Sequence, residues 1–210
     1  RKDGSYMVTR VADKVFAGKD IIHIAVFKKS DARTIYNIVY LDGKTGNTMM
    51  KRCPIIGITR DKEYNLTKNN SSSKILYLSA NPNGEAEVVK VFLKPKARLR
   101  NQVFEMDFSE MAIKGRDAGG NILSRHAVQK VVMKEKGVST LGGRKIWFDE
   151  DVIRLNADGR GRLLGEFSGH DKLLIITKSG GYRLSSFDLE NHFEDDLMII
   201  EKYRENKVYS

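Results

Sequence analysis

Gly115 and Gly120 stand five residues apart, with Lys114 and Arg116 flanking the first, in the run AIKGRDAGGNILSRH (112–126). Glycines and bases at that interval are the makings of a phosphate-cradling loop. Such a loop needs two glycines five apart, then Lys and Ser or Thr opening a helix. Here Asn121 and Ile122 follow, and ILSRHAVQKVVM alternates like a strand. With no helix N-terminus to receive an anion, the main electrostatic device is missing. GRGRLLG (159–165) misses the dinucleotide fingerprint: its glycine spacing is one residue too long and the chain returns to strand.

Other catalytic constellations fail as well. There is no Gly-x-Ser-x-Gly elbow. Cys53 is the single cysteine, which excludes an intrachain disulfide and a cysteine-based zinc site. His23, His126, His170 and His192 are scattered and do not form a ligand set. No metal or other cofactor is expected in this chain, and the chain is not expected to be catalytic itself.

Positive charge is the chemistry that recurs. Lys51 and Arg52, Arg125, Arg162 and Arg183 follow turns, while Lys114, Arg116, Arg160 and Lys178 lie just before or within them. Arg144 and Lys145 close the connector KEKGVSTLGGRK (134–145). These eleven residues are the candidate contacts. Residues at equivalent places of a repeat fall at equivalent radii, so the set describes a basic rim able to follow duplex phosphates without reading bases. The net charge is +10, and residues 186–210 hold seven acids against three bases, so the rest is more basic still. A body this basic points to a polyanionic partner, with an acidic stretch that moderates the attraction. A basic surface meeting an acidic protein is the alternative.

The elements that carry these bases are short strands and turns. Apolar residues make up 40% and charged residues 30% of 210, enough for a real core in a globular chain. Six runs combine β-branched or aromatic residues with a polar turn: 6–16, 37–52, 75–91, 110–126, 152–167 and 173–187. The turn glycines Gly43, Gly84, Gly120 and Gly159 are 41, 36 and 39 residues apart. A period near 40 residues with several strands per unit predicts an all-β, propeller-like ring; a β-sandwich would also give many short strands. The chain is expected to form a single domain over 1–210, with 201–210 a frayed tail. Its start, RKDGSYMVTR, reads as part of a longer protein. No apolar run approaches the roughly 20 residues of a membrane helix, and the lone cysteine fits a reducing cytoplasm.

DKLLIITKSGGYRLSSFDL (171–189) resembles the blade repeat in the C-terminal domain of the DNA-cleaving subunit of bacterial DNA gyrase and topoisomerase IV. NIVYLDGKTGNTMMKRCPI follows the same plan, and GRDAGGNIL resembles that family's Gly-Arg-x-x-x-Gly strand. RDKEYNLT and YLSANPNGEAEVV are similar to the corresponding topoisomerase IV chains of the Bacteroidetes type. The resemblance implies a β-pinwheel whose blades exchange strands and whose basic rim binds and bends double-stranded DNA; at the period near 40 residues the chain is expected to hold about five four-stranded blades, with four or six possible. It also implies that the cleaving tyrosine lies in a separate N-terminal region. ATP would be handled by the separate ATPase subunit, and the whole enzyme would work in the bacterial cytoplasm at the nucleoid. The Gln-Arg-Arg-Gly-Gly-Lys-Gly box of gyrases is absent, which favours a topoisomerase IV-like role.

Overall fold

The computed structural model describes residues 1–97 and 99–208. They fall into two compact units, Arg1–Thr140 and Leu141–Ser210, divided inside the connector 134–145. No α-helix occurs among the described residues; one 3-10 turn spans Phe108–Glu110.

Three antiparallel sheets build the first unit. β1 (Ser5–Met7) pairs with β4 (Glu63–Asn65). A four-stranded sheet has the order β5 (Lys74–Asn81), β2 (Ile35–Leu41), β3 (Thr48–Pro54), β8 (Asn121–Ser124). A three-stranded sheet has the order β7 (Val103–Asp107), β6 (Val88–Leu93), β9 (Val128–Glu135). The β2–β3 hairpin forms where IYNIVYL meets a polar turn, and buried Asp42 ties that turn together. Its backbone N–H donates to Asn47 O and its carbonyl accepts from Gly46 N, both at 2.9 Å. Its carboxylate accepts from Thr45 Oγ1 at 2.7 Å and Asn70 Nδ2 at 2.6 Å.

The connectivity repeats. A hairpin forms, the next strand leaves for the preceding sheet, and the strand after that returns to the far side of the hairpin's first strand. β2 and β3 are followed by β4 on the first sheet, then by β5 against β2. β6 and β7 are followed by β8 on the edge of β3, then by β9 against β6. This stacking explains why β2 is apolar on both faces. Ile38 and Tyr40 enter one core with Met49, Cys53, Leu66 and Ile75, while Val39 enters another with Met50, Val89, Val91 and Phe108. All of these side chains are buried, and each such large aliphatic contributes about 1.5–3 kcal/mol by leaving water.

The second unit has two three-stranded sheets. One has the order β11 (Arg154–Asn156), β10 (Arg144–Asp149), β12 (Arg162–Phe167); the other, β14 (Tyr182–Ser185), β13 (Leu173–Thr177), β15 (Leu197–Lys202). Ile146, Phe148, Phe167, Leu173, Ile175 and Ile200 are the buried centre of its core.

Several expectations change. Of the five sheets among the described residues, one has four strands, three have three and one has two. Runs 37–52 and 173–187 are hairpins, as β2–β3 and β13–β14. Run 75–91 instead joins two different sheets, and 152–167 places β11 and β12 on opposite sides of β10. Run 110–126 supplies one strand, β8, and run 6–16 only the end of β1. Turn chemistry marks where the chain bends, but not which strands then pair. Glu201 and Lys202, expected to fray, close β15, and Tyr203 N bonds Lys172 O at 2.8 Å. Residues 209 and 210 of that tail lie outside the described residues.

Candidate nucleic-acid interface

Two of the eleven candidate contacts are not on a surface. Lys51 and Arg52 lie on β3, which is covered on both faces, and they are 3% and 1% exposed. Lys51 Nζ donates to the carbonyls of Arg116 at 2.5 Å and Ala118 at 3.0 Å. Arg52 spreads its guanidinium over Asn37 Oδ1 (2.9 Å), Gly84 O (3.0 Å) and Phe108 O (3.3 Å). Burial pushes both groups below their ordinary pKa values, with Glu87 working the other way on Arg52. These cations hold the fold together and are withdrawn from the rim. The alternation that would have marked them as inward-facing is hidden, because every residue of β3 from Thr48 to Cys53 is buried.

The run 112–126 lies along β3. Lys114 N bonds Arg52 O at 3.0 Å near the end of β3, and Ser124 pairs with Thr48 at its start. Lys114 and Arg125 therefore flank opposite ends of a four-residue step, roughly 13 Å at strand rise. Both side chains are exposed. Between them, Gly120 has φ +80, and a Cβ there would run into the Met50 carbonyl. It is the crossing point that lets β8 lie on β3. Arg116 is mostly spent internally: its side chain is 20% exposed, it donates to Ile56 O at 3.0 Å and Gly57 O at 3.3 Å, and it lies 4.6 Å over the Tyr64 ring.

Arg125 has company that the sequence reading missed. Ser124 is paired beside the β2–β3 turn (42–47), and Ala127 O accepts from Lys94 N at 2.7 Å, beside the β6–β7 turn (94–102). The short link between β8 and β9 thus draws two hairpin tips together. They carry Lys44, Lys94, Lys96 and Arg100, which with Arg125 make five exposed bases. None of the five has a carboxylate within ion-pair distance among the described residues. A signal was present in KPKARLR (94–100), four bases with no acid. It was overlooked because that turn has no glycine.

In the second unit the candidates are exposed or half-buried, and three of the six are matched by carboxylates. Arg160 lies 3.7 Å from Asp158, Arg162 3.3 Å from Glu150, and Arg183 3.1 Å from Glu194. Arg183 also draws the Glu194 carboxyl below its ordinary value. Lys145 and Lys178 are exposed and Arg144 half-buried, without such a partner among the described residues. The charge balance of the units follows this pattern. Residues 1–140 hold 26 Lys and Arg against 14 Asp and Glu, a net of +12; residues 141–210 hold 11 against 13, a net of −2. A depression lined by Asp149, Glu150, Asp151, Arg160, Gly161 and Arg162 has no hydrophobic or aromatic side chain in its wall, unlike a typical small-molecule site. Among the described residues no group of three or more His, Cys, Asp and Glu could hold a metal ion, and no helix is long and apolar enough to cross a membrane.

Residues 1–136 and 154–210 match the family model described as topoisomerase C-terminal domain, Bacteroidota. A search of curated proteins gives no match. The segment 137–153, between the matched stretches, holds the end of the connector and all of β10. The chain belongs to the topoisomerase C-terminal domain family of Bacteroidota.

Proposed function

We propose that this topoisomerase C-terminal domain is a noncatalytic module that binds and bends double-stranded DNA for a type II topoisomerase, through phosphate contacts made mainly by residues 1–140. The observation that carries the reading is the separation of charge: +12 in the first unit against −2 in the second. Lys44, Lys94, Lys96, Arg100 and Arg125 supply the densest unmatched cations, with Lys114 at the other end of β3. Lysines and arginines on mobile stems neutralise phosphates at many sequences alike, and the described surface offers no helix to enter a major groove. Weak base preference follows.

On the same reading the stacked sheets are the blades of a propeller-like β-pinwheel, and the exported strands β4 and β8 tie each blade to the one before. The domain serves the DNA-cleaving subunit of a topoisomerase IV-like enzyme in the bacterial cytoplasm, with the cleaving tyrosine elsewhere in the polypeptide and ATP hydrolysis on the separate ATPase subunit. Of the rim residues read from sequence, Lys114, Arg125, Arg144, Lys145 and Lys178 remain candidate contacts. Arg160, Arg162 and Arg183 are weaker ones, because a phosphate must displace a carboxylate.

Gel shift of the chain with a duplex at physiological salt tests the reading. Discrete or graded retention at micromolar protein is expected. Absence of a shift there, with capture by an acidic polypeptide instead, would support the protein-scaffold alternative.

A further inference from the structure

Residues 8–34 contain no strand, yet they carry seven of the large exposed apolar side chains: Val11, Val15, Phe16, Ile21, Ile22, Ile24 and Val26. The densest part is DIIHIAVF (20–27). Its side chains alternate in the manner of a strand. His23 meets Tyr36 edge-on at 5.9 Å and Phe27 packs on the core of Ile38 and Tyr40, while Ile24 and Val26 are 80% and 84% exposed. Among the described residues, no backbone hydrogen bond reaches residues 21–27. A segment apolar on both faces with its ladder groups unpaired is the pattern of a sheet strand lacking its neighbour.

The repeat in the first unit shows which neighbour. In the second sheet the order is returning strand β5, first strand β2, second strand β3, donated strand β8. In the first sheet β1 holds the second place, because it accepts the donated strand β4 as β3 accepts β8. Segment 20–27 holds the returning place. The turn before β3 is closed by Gly46 (φ +70) bonding Asp42 O at 2.9 Å, and Gly43 N bonds Ser73 Oγ at 3.0 Å just before β5. The turn before β1 matches it: Gly4 (φ +88) bonds Arg1 O at 3.0 Å, and Lys2 N bonds Asp20 O at 2.9 Å just before 21–27. Among the described residues no strand takes the place that corresponds to β2. β1 pairs on one side only, with β4.

We infer that the edge formed by β1 and residues 20–27 is a docking site for one β-strand of the same polypeptide, entering the turn at Arg1 from its N-terminal side. By analogy with β2 the strand is about seven residues long and apolar on both faces. It pairs antiparallel with both neighbours, and alternate side chains of it lie beside Ile22, Ile24 and Val26 on one face of the sheet. A second copy of the chain is the competing occupant, because an unpaired apolar edge also invites edge-to-edge association.

Hydrogen exchange read by mass spectrometry decides it, comparing residues 1–210 with the topoisomerase polypeptide extended by its natural residues before Arg1. Amides 21–27 should exchange freely in 1–210 and at least ~100-fold more slowly in the extended chain. Ile24→Lys should leave the thermal unfolding of 1–210 unchanged and abolish that protection in the extended chain. Equal exchange in the two chains would overturn the inference. So would protection in 1–210 alone that rises with protein concentration, which would place a second copy on the edge.

Discussion

Arg52 and Asn37 face each other across β3 and β2, and Arg52 Nε donates to Asn37 Oδ1 at 2.9 Å in the buried interior of the first unit. Asn37 passes the contact on: its Nδ2 donates to Glu85 O at 3.0 Å and to the Glu87 carboxylate, which also accepts from Asn81 at 3.2 Å. One cation thereby joins three successive segments of chain. Replacing it leaves buried carbonyls and a carboxylate uncompensated. Arg52→Ala should cost about 3 kcal/mol or more in urea unfolding, and Arg52→Lys should recover only part of that, since a lysine lacks the planar fork. A loss below about 1 kcal/mol would show that the network is not structural.

Gly120 and Gly115 make a matched pair for the strand-crossing argument. Gly120 combines a left-handed φ with the Met50 carbonyl where a Cβ would go, whereas nothing lies within 4 Å of a Cβ at Gly115. Gly120→Ala should destabilise by roughly 1–3 kcal/mol and loosen β8 from β3. Gly115→Ala should stay within about 0.5 kcal/mol of the parent. Thermal unfolding of the two variants side by side gives the comparison, and equal losses would contradict the crossing role.

Lys202 fastens β15 by donating to Glu166 O and to Asp171 Oδ2, both at 2.7 Å. Burial pushes the Asp171 carboxyl up, but the Lys202 ammonium and the Ser168 bonds outweigh it and leave it below its ordinary 3.8. A carboxyl depressed in the fold binds fewer protons there than in the unfolded chain, so stability rises with pH. The contribution is full above that ordinary value and is lost as pH falls through the folded one. Asp171→Asn should flatten the stability of the second unit below about pH 4. An unchanged acid profile would remove the pair from the account.

Charge removal in the two units should have unequal effects. Replacing Lys94, Lys96 and Arg100 with Gln should weaken binding to all duplexes alike and reduce the salt slope by up to about 3. The same treatment of Arg160, Arg162 and Arg183 should do less, because their carboxylate partners already offset them. Equal losses from both triples, read by fluorescence anisotropy on two unrelated duplexes, would argue against a contact surface centred on residues 1–140.

The all-β class was legible in sequence because alternation and turn residues are local properties, and the β2–β3 and β13–β14 hairpins lie where those signals put them. Pairing over longer range was not. Nothing in GGNILS states that it will lie on Met49 rather than beside β7, since that choice is made by packing two sheets face to face. Burial of Lys51 and Arg52 was equally hidden. Two adjacent cations on a strand ordinarily put at least one side chain in water, and only a core on each face makes both internal. The tip cluster was partly legible: KPKARLR announces four bases, but not that the 125–127 link brings Arg125 and Lys44 to the same end.

The salt dependence of duplex affinity tests the central claim most directly. Each phosphate neutralised contributes a slope of about −0.9 in log K against log salt. Four contacts therefore predict a loss of roughly 100-fold between about 50 and 200 mM salt. A decline of that order, equal for unrelated duplexes, is the predicted result. Affinity that changes less than about threefold over the range would contradict a phosphate-binding surface.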